Sequence, residues 1–214
     1  MTDDLKNLRR EYLRGGLQAV DLQADPIDQF KLWLKQALEA QVPDPTAMVL
    51  ATVAQDGQPS QRIVLLKSVD QRGFVFYTNL RSHKAQEMLT NPKVSLHFPW
   101  NVLERQVRVT GVAQLLERNE VDDYFHRRPR ESQLAAWASR QSQPIASRAA
   151  LMARYQSTEE RFAGGEVPTP EFWGGFRVRP HQVEFWQGGA HRLHDRYRYS
   201  LQAEGNWAIN RLEP

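Results

Sequence analysis

The chain has 214 residues, of which 41% are hydrophobic and 25% charged, and its formal net charge at pH 7 is +3. This composition is typical of a globular protein and excludes a fibrous or intrinsically disordered chain. Cysteine is absent, which excludes disulfide scaffolds, thiolate nucleophiles and zinc sites built from cysteine.

The first residues are polar and charged, and we expect residues 1–24 to form a mobile N-terminal arm before a single domain over 25–214. A helix is predicted to begin after Asp25, because an N-cap aspartate followed by Pro26 is a strong start signal. No segment has about 18 consecutive apolar residues, and the arm lacks the apolar core of a secretory signal. We therefore expect a cytoplasmic protein that does not cross a membrane.

The next part of the chain is typical of an antiparallel meander with inserted helices. Asp56-Gly57 is a strong hairpin signal between two apolar segments. Strands are predicted over 47–54, 61–67, 73–78, 93–98, 105–116 and 207–212, helices over 82–91 and within 117–162, and three aromatic-rich segments over 172–178, 182–187 and 196–201. We count roughly seven or eight strands, which predicts an α+β fold around an antiparallel sheet, closed as a barrel because closure removes exposed edges.

Three common ligand motifs are absent from the sequence: the glycine-rich dinucleotide fingerprint, the P-loop and the nucleophile elbow of hydrolases. His191 and His194 lie three residues apart, but no carboxylate stands at a metal-binding spacing beside them. The sequence therefore predicts no metal site.

Basic residues at strand ends and helix starts indicate an anionic ligand. Arg62 and Lys67 bracket an apolar strand, and their odd spacing predicts that they point to opposite faces. Lys84 falls in the first turn of a predicted helix, where a cation is unfavourable unless an anion binds there. Free backbone N–H groups at a helix start also favour phosphate, so we predict a phosphate site at Lys84.

A second group of cations surrounds Pro129, where Arg127, Arg128 and Arg130 precede another predicted helix, with Ser132 close behind. Clustered like charges repel unless something offsets them, so a second phosphate site is one interpretation. A solvated basic turn is the other.

The most distinctive segment is EFWQGGAHRLHDRY, in which Trp186 precedes a Gly-Gly turn and a cluster of Arg and His residues. A tight turn that presents Arg192 and His194 beside an aromatic wall suits a flat, polar, anionic ligand. Composition favours a phosphorylated heteroaromatic molecule.

The motifs RIVLLK, FYTN, SxKAxE, NPxVSLxFPW, ERQV, YFxxRPRESQ, FWGGF and EFWQGGxHRLHDR occur in this order. In them the chain resembles the pyridoxamine 5′-phosphate oxidase family from about Arg9 to Pro214. The resemblance implies an FMN-binding split β-barrel with peripheral helices, in a homodimer with FMN between the subunits. It also implies oxidation of pyridoxine or pyridoxamine 5′-phosphate to pyridoxal 5′-phosphate, with O2 reduced to H2O2 and NH3 released from the amine. No nucleic-acid partner is implied.

Roles for individual residues follow from the same resemblance. FMN contacts are implied for Arg62, Ile63, Val64, Leu65, Leu66, Lys67, Tyr77, Thr78, His83, Lys84, Gln106, Gln141, Ser142, Trp186 and Arg196. The substrate phosphate would be held by Lys67, Tyr124, Arg128 and Ser132, and the substrate ring would lie beside Arg192, Leu193 and His194. Of these, Arg192 and His194 are the implied catalytic residues. The segment Arg9, Arg10, Glu11 and Tyr12 would fold over the site.

His83 departs from the family pattern, because relatives commonly carry arginine before the helix lysine. An imidazole lacks the charged two-point donor of a guanidinium, so we expect this FMN contact to be weaker and to depend on pH. Two alternatives remain open from the residues: another split-barrel flavin oxidoreductase, and a non-enzymatic protein that binds pyridoxal phosphate or nucleic acid.

Overall fold

A computed structural model describes residues 11–214, so the predicted contacts of Arg9 and Arg10 lie outside the described residues. The chain divides into two compact units. The first unit comprises the residues up to Val49, Ser95–Gly111 and Pro180–Pro214, and the second unit comprises Leu50–Val94 and Val112–Arg179. The single domain expected over 25–214 stays a prediction.

The described chain contains five α-helices and nine β-strands. The helices are α1 (Pro26–Glu39), α2 (His83–Thr90), α3 (Arg118–Arg127), α4 (Arg130–Ala138) and α5 (Arg148–Arg161). The strands are β1 (Ala47–Val53), β2 (Pro59–Leu65), β3 (Ser68–Asp70), β4 (Gly73–Asn79), β5 (Lys93–Trp100), β6 (Arg105–Leu115), β7 (Trp173–Gln187), β8 (Asp195–Leu201) and β9 (Trp207–Leu212). Hydrogen bonds join the strands in the order β2-β1-β5-β6-β7-β4-β3, and β8 pairs with β7 and β9. The predicted α+β class is confirmed.

Helix α1 begins as the sequence predicts. The Asp25 side chain accepts a hydrogen bond from the Ile27 backbone N–H at 2.7 Å, and Pro26 occupies the first turn. The buried face contains Ile27, Phe30, Trp33 and Ala37, whereas Leu38 is exposed. The amphipathic spacing therefore places this face of α1 against the core.

In the second unit, β4 pairs antiparallel with β7, and this register places glycines beside the polar end of β4. Tyr77 lies opposite Gly175, and Thr78 lies opposite Gly174. A Cβ atom on Gly175 would lie 2.8 Å from the Tyr77 ring and 2.9 Å from the Phe76 carbonyl oxygen. Only glycine allows the two strands and the Tyr77 ring to approach this closely.

Two predicted segments, 172–178 and 182–187, form one strand in the structure. Pro180 lies between the part of β7 that pairs with β4 and the part that pairs with β8. Pro180 has no N–H, but because it lies outside both paired segments, no hydrogen bond of the β4–β7 or β7–β8 pairing is lost. Strand β2 ends at Leu65, two residues earlier than predicted, and the short strand β3 follows.

The described part of the arm is hydrogen-bonded to the first unit. The backbone N–H groups of Leu13 and Arg14 donate to Glu104 Oε2 at 2.9 and 3.0 Å, and Leu17 N–H donates to Asp195 Oδ2 at 2.9 Å. The expected mobility of the arm stays a prediction. Within residues 11–214, every helix is too short or too polar to cross a bilayer, and the expected cytoplasmic location is likewise untested.

Candidate functional site

The second unit contains a cavity of about 670 Å³, a volume typical of small-molecule sites. Its lining comes from the end of β2, the end of β4, the start of α2, helices α3 and α4, the 139–142 loop and the start of β7. The lining residues are Arg62, Ile63, Val64, Leu65, Lys67, Tyr77, Thr78, Asn79, His83, Lys84, Tyr124, Arg128, Ala135, Ala136, Ser139, Gln141, Ser142 and Trp173. The fold thus brings together most of the residues assigned to FMN and to the substrate phosphate.

Lys84 is a buried cation at the start of α2. Its Nζ donates to Thr78 Oγ1 at 3.1 Å, Ser82 Oγ at 3.3 Å and Gln141 Oε1 at 3.3 Å. All three acceptors are neutral, and within the described chain no carboxylate pairs with Lys84. Burial, and then the charge of Arg62, lowers the pKa of Lys84 to about 8. A buried ammonium without an acid partner at a helix start indicates an anion site.

Arg62 belongs to a buried polar network beside this lysine. Its guanidinium contacts Glu87 Oε2 at 3.2 Å and donates to Ser60 Oγ at 2.6 Å and to the Leu50 carbonyl at 3.2 Å. Burial raises the pKa of Glu87, but hydrogen bonds from Thr52 and Ser60 and the charges of His83 and Arg62 hold it below its usual range. Glu87 is therefore the ionised partner that anchors Arg62 at the cavity wall.

Arg62 and Lys67 line the same cavity, which corrects the prediction that they point to opposite faces. That prediction assumed a regular strand through Lys67. Because β2 ends at Leu65, the alternation of side chains stops before Lys67.

His83 lies at the mouth of the cavity with a largely exposed side chain. Its backbone N–H donates to Ser142 Oγ at 3.2 Å, and its Nε2 lies 3.7 Å from Glu87 Oε1. Ser142 has a left-handed backbone with φ of 69°, which is uncommon for a residue with a side chain. Such strain is common where a loop is fixed for binding, so the 139–142 loop is a credible part of the site.

A stack of parallel rings forms another wall of the cavity. The Tyr77 and Tyr124 rings lie 4.0 Å apart at 10°, and the Tyr77 and Trp173 rings lie 5.4 Å apart at 5°. The Arg128 guanidinium lies over Trp173, with Cζ 4.8 Å from the ring centroid. Aromatic faces and a cation together suit a flat anionic ligand.

Arg128 carries an unsatisfied donor. Its Nη1 is buried and has no hydrogen-bond partner within residues 11–214. Burial lowers the pKa of Arg128, an effect that Tyr124 opposes. An orphaned buried guanidinium N–H is rare in proteins and here indicates a missing acceptor. Arg130 differs, because it donates to the carbonyl oxygens of Gly165 and Phe162 and so holds a turn.

Two assigned residues of this unit do not line the cavity. Leu66 is buried in the core, and Ser132 lies in the first turn of α4. The lining residues that sequence reasoning missed are Asn79, Ala135, Ala136, Ser139 and Trp173. Asn79 directly follows Thr78 at the strand end, and Trp173 lies in the FWGGF motif, so position and motif were the available signals.

The remaining assigned residues lie in the first unit. Trp186 and His194 pack with ring centroids 4.6 Å apart, and the Tyr12 ring meets each of them edge-on at 5.7 and 5.4 Å. Arg192 Cζ lies 5.9 Å from the Tyr12 ring centroid. Glu11 Oε2 accepts from the His191 N–H at 3.3 Å. The arm therefore contacts the predicted His and Arg cluster directly.

His194 is held in one orientation. The Gly189 N–H donates to its Nδ1 at 3.2 Å, which leaves Nε2 as the protonated nitrogen of the neutral ring. Burial, and then the charges of Arg192 and Arg196, lowers the pKa of His194. His194 is therefore neutral at pH 7 and can donate a hydrogen bond. Arg192 and His191 both have left-handed backbones, with φ of 65° and 55°. Leu193 is 69% exposed beside them.

Arg196 lies opposite Trp186 in the β7–β8 register. Its Nε donates to Glu184 Oε1 at 2.9 Å, and Arg108 donates to the other Glu184 oxygen at 2.5 Å. These residues and Gln106 line a second cavity of about 190 Å³. Among the described residues, no group of three His, Cys, Asp or Glu side chains is arranged to hold a metal ion.

The chain is similar to proteins with one family description. The model of the family described as "Pyridoxamine 5′-phosphate oxidase" matches residues 34–161, and that of a "Pyridoxine 5′-phosphate oxidase C-terminal dimerisation region" matches residues 173–214. Proteins named pyridoxine/pyridoxamine 5′-phosphate oxidase from Vibrio cholerae serotype O1 (strain M66-2) and Teredinibacter turnerae (strain ATCC 39867 / T7901) are each 59% identical over 211 residues. The match covers 99% of this chain and 100% of each relative.

Two solved structures have a similar fold. PhzG from Burkholderia lata 383, solved in complex with tetrahydrophenazine-1-carboxylic acid, is 32% identical with a TM-score of 0.87, covering 92% of this chain and 98% of that one. A pyridoxamine 5′-phosphate oxidase-related, FMN binding protein from Nostoc punctiforme PCC 73102 is 16% identical with a TM-score of 0.73, covering 90% and 100%. The predicted fold class, an antiparallel split β-barrel with peripheral helices, is confirmed.

Proposed function

This chain belongs to the pyridoxamine 5′-phosphate oxidase family, and we propose that it oxidises pyridoxine 5′-phosphate and pyridoxamine 5′-phosphate to pyridoxal 5′-phosphate with FMN as cofactor. The alcohol and O2 give the aldehyde and H2O2. The amine, O2 and water give the aldehyde, NH3 and H2O2. FMN, when bound, supplies the two-electron chemistry between the substrate and O2.

One observation carries the proposal: a single cavity offers two separate cations that lack an acid partner within the described chain. Lys84 Nζ has only neutral acceptors, and Arg128 Nη1 has none. Two phosphate groups, one from the cofactor and one from the substrate, would satisfy both. The parallel rings of Tyr77, Tyr124 and Trp173 supply flat apolar surface between polar ends.

Residues around Lys84 would hold the FMN phosphate. The Arg62 guanidinium and the backbone N–H groups at the start of α2 would donate hydrogen bonds to this phosphate, in addition to those from the Lys84 ammonium. Gln141 and Ser142 border the same end of the cavity, and His83 lies where the family carries arginine. The apolar segment from Ile63 to Leu65 would contact the flavin ring.

Arg128, Tyr124 and Lys67 would hold the substrate phosphate. Hydrogen bonds to the substrate phosphate, far from the reacting carbon, would fix how the substrate ring overlaps the flavin ring. This alignment would lower the activation barrier of hydride transfer. Ser132, assigned by resemblance, would need to reach this phosphate from the first turn of α4.

A second copy of the chain would complete the site. Trp186, Arg192, His194 and Arg196 all fall in the segment matched to a dimerisation region. Ile63 and Leu65 are exposed apolar residues, and the bound flavin and a partner subunit would cover them together. We propose a homodimer in which these residues and Gln106 of the partner subunit meet the cofactor held by Lys84.

Arg192 and His194 would act on the reacting end of the substrate. His194 is neutral and donates from Nε2, so it would hydrogen-bond the substrate hydroxyl or amine rather than serve as an obligatory base. Arg192 would orient the carbon that loses hydride. Tyr12 packs against both residues, consistent with an arm that shields the ring from water.

The direct test uses the purified protein. We expect a yellow protein that releases FMN on denaturation, and a flavin that bleaches when pyridoxine 5′-phosphate is added without oxygen. Readmitting air should yield one H2O2 for each pyridoxal 5′-phosphate. A folded, colourless protein that takes up no added FMN would contradict the proposal. A flavin that this substrate does not bleach would favour another split-barrel flavin oxidoreductase.

The affinity for FMN should fall at alkaline pH. Lys84 titrates near pH 8 without ligand, and a bound phosphate raises its pKa. Below pH 8 the ammonium is already present, so affinity is constant. Above pH 8 binding takes up a proton, so the affinity should fall by up to about tenfold per pH unit. Fluorescence titrations from pH 7 to 9.5 measure this, and Lys84→Met should remove the dependence.

A further inference from the structure

We propose that Trp173 is a positioning residue that sets the preference for a phosphorylated substrate by holding Arg128 and Tyr124. This inference rests on the proposed function. Trp173 itself would not touch the phosphate; it would act through the two side chains stacked on it.

Arg128 has no ionic anchor within the described residues, so aromatic faces set its orientation. Its Cζ lies 4.8 Å from the Trp173 centroid and 5.6 Å from the Phe125 centroid. A guanidinium stacked flat on a ring directs its N–H groups outward around the ring edge. This leaves Nη1 as a buried donor without a partner, ready for an anionic acceptor.

The backbone beneath Arg128 is fixed independently. The Arg128 N–H donates to the Phe125 carbonyl at 3.2 Å, and Gln133 Nε2 donates to the Arg128 carbonyl at 2.9 Å. The side chain is therefore the part whose position depends on Trp173.

Tyr124 is held by the same tryptophan. The Tyr124 and Trp173 rings are parallel within 7°, with centroids 6.2 Å apart, and Tyr77 stacks on both. Trp173 is 6% exposed, belongs to a buried cluster with Val121 and Leu134, and meets the Phe125 ring edge-on at 4.9 Å. The Trp173 ring thus links the core to two of the residues proposed to hold the substrate phosphate, Tyr124 and Arg128.

The test compares Trp173→Leu with Trp173→Phe in the FMN-loaded enzyme. For the leucine variant we expect the Kd of pyridoxal 5′-phosphate, measured by calorimetry, and the KM of pyridoxine 5′-phosphate to rise about tenfold, because ring stacking and the cation–π contact are lost. The kcat and the Kd of FMN should change less than about threefold. Phenylalanine keeps an aromatic face and should restore most of the affinity.

Trp137→Leu is the matched control. Trp137 belongs to the same cluster and carries Arg161 over its ring at 5.1 Å, but it does not line the cavity of Lys84 and Arg128. Its replacement should leave the Kd of pyridoxal 5′-phosphate unchanged. If Trp173→Leu is not folded by thermal unfolding, Trp173→Met replaces it, since methionine fills irregular space without a ring.

A double-mutant cycle separates positioning from a general structural role. In an Arg128→Ala background, Trp173→Leu should raise the Kd less than about threefold, because its main target is gone. An equal loss in both backgrounds, or no loss in the single variant, would overturn the inference. Failure of the proposed function looks different, since the unmodified enzyme would then form no H2O2 with pyridoxine 5′-phosphate.

Discussion

Replacing Arg192 with alanine should lower kcat/KM for pyridoxine 5′-phosphate about 100-fold while the FMN content stays at the level of the unmodified protein. A hydrogen bond from a charged donor is worth about 2–3 kcal/mol, which corresponds to about 30- to 150-fold in rate. Arg192 has a left-handed backbone, its guanidinium lies 5.9 Å from the Tyr12 ring centroid, and its charge acts on His194. Steady-state kinetics and flavin absorbance of the same preparations measure both quantities.

Arg179→Ala is the control for this prediction, because Arg179 is an exposed arginine of β7 outside the cavities described above. It should leave both quantities unchanged. Equal losses of FMN and of kcat/KM in Arg192→Ala would mean that Arg192 holds the cofactor and not the substrate.

Replacing Lys84 with methionine should raise the Kd of FMN by about 30-fold and leave the Kd of riboflavin unchanged. The lost charged hydrogen bond is worth about 2 kcal/mol, and only the phosphorylated flavin can make it. The protein without FMN should be no less stable, because the fold already lowers the pKa of this buried cation and gives it no acid partner within the described chain. Flavin fluorescence titration and thermal unfolding measure these effects.

Lys93→Ala is the matched control, since Lys93 is an exposed lysine at the start of β5. Its replacement should not change the affinity for either flavin. Parallel losses of FMN and riboflavin in Lys84→Met would assign Lys84 to local structure instead of the phosphate.

Local signals in the sequence predicted the elements well where one rule applies. The N-cap at Asp25 and the strand over 207–212 occur as expected. Errors arose where two rules compete, as at Lys67, where a break after β2 overrides strand alternation and brings both cations to one cavity.

The site itself needed both motif resemblance and the folded structure. Lys84 in the first turn of α2 predicts a phosphate site because a cation is unfavourable there without an anion. In the fold its ammonium has only neutral hydrogen-bond acceptors among the described residues, such as Thr78 Oγ1, as that prediction requires. The FWGGF motif pointed to Trp173 but not to its role, because that role lies in parallel stacking with Tyr77 and Tyr124, which are about 100 and 50 positions away in the chain. The orphaned N–H of Arg128 is likewise visible only once neighbours are placed.

The glycines of β7 limit how this cavity can change during evolution. Beside Tyr77 the neighbouring strand offers bare main chain, and even a methyl group on Gly175 would strike the Phe76 carbonyl and the Tyr77 ring. Substitutions that change which ligand binds are therefore expected at residues on the helices that line the cavity, such as α3 and α4. The glycines of β7 beside Tyr77 should therefore stay glycine in variants whose ligand preference differs.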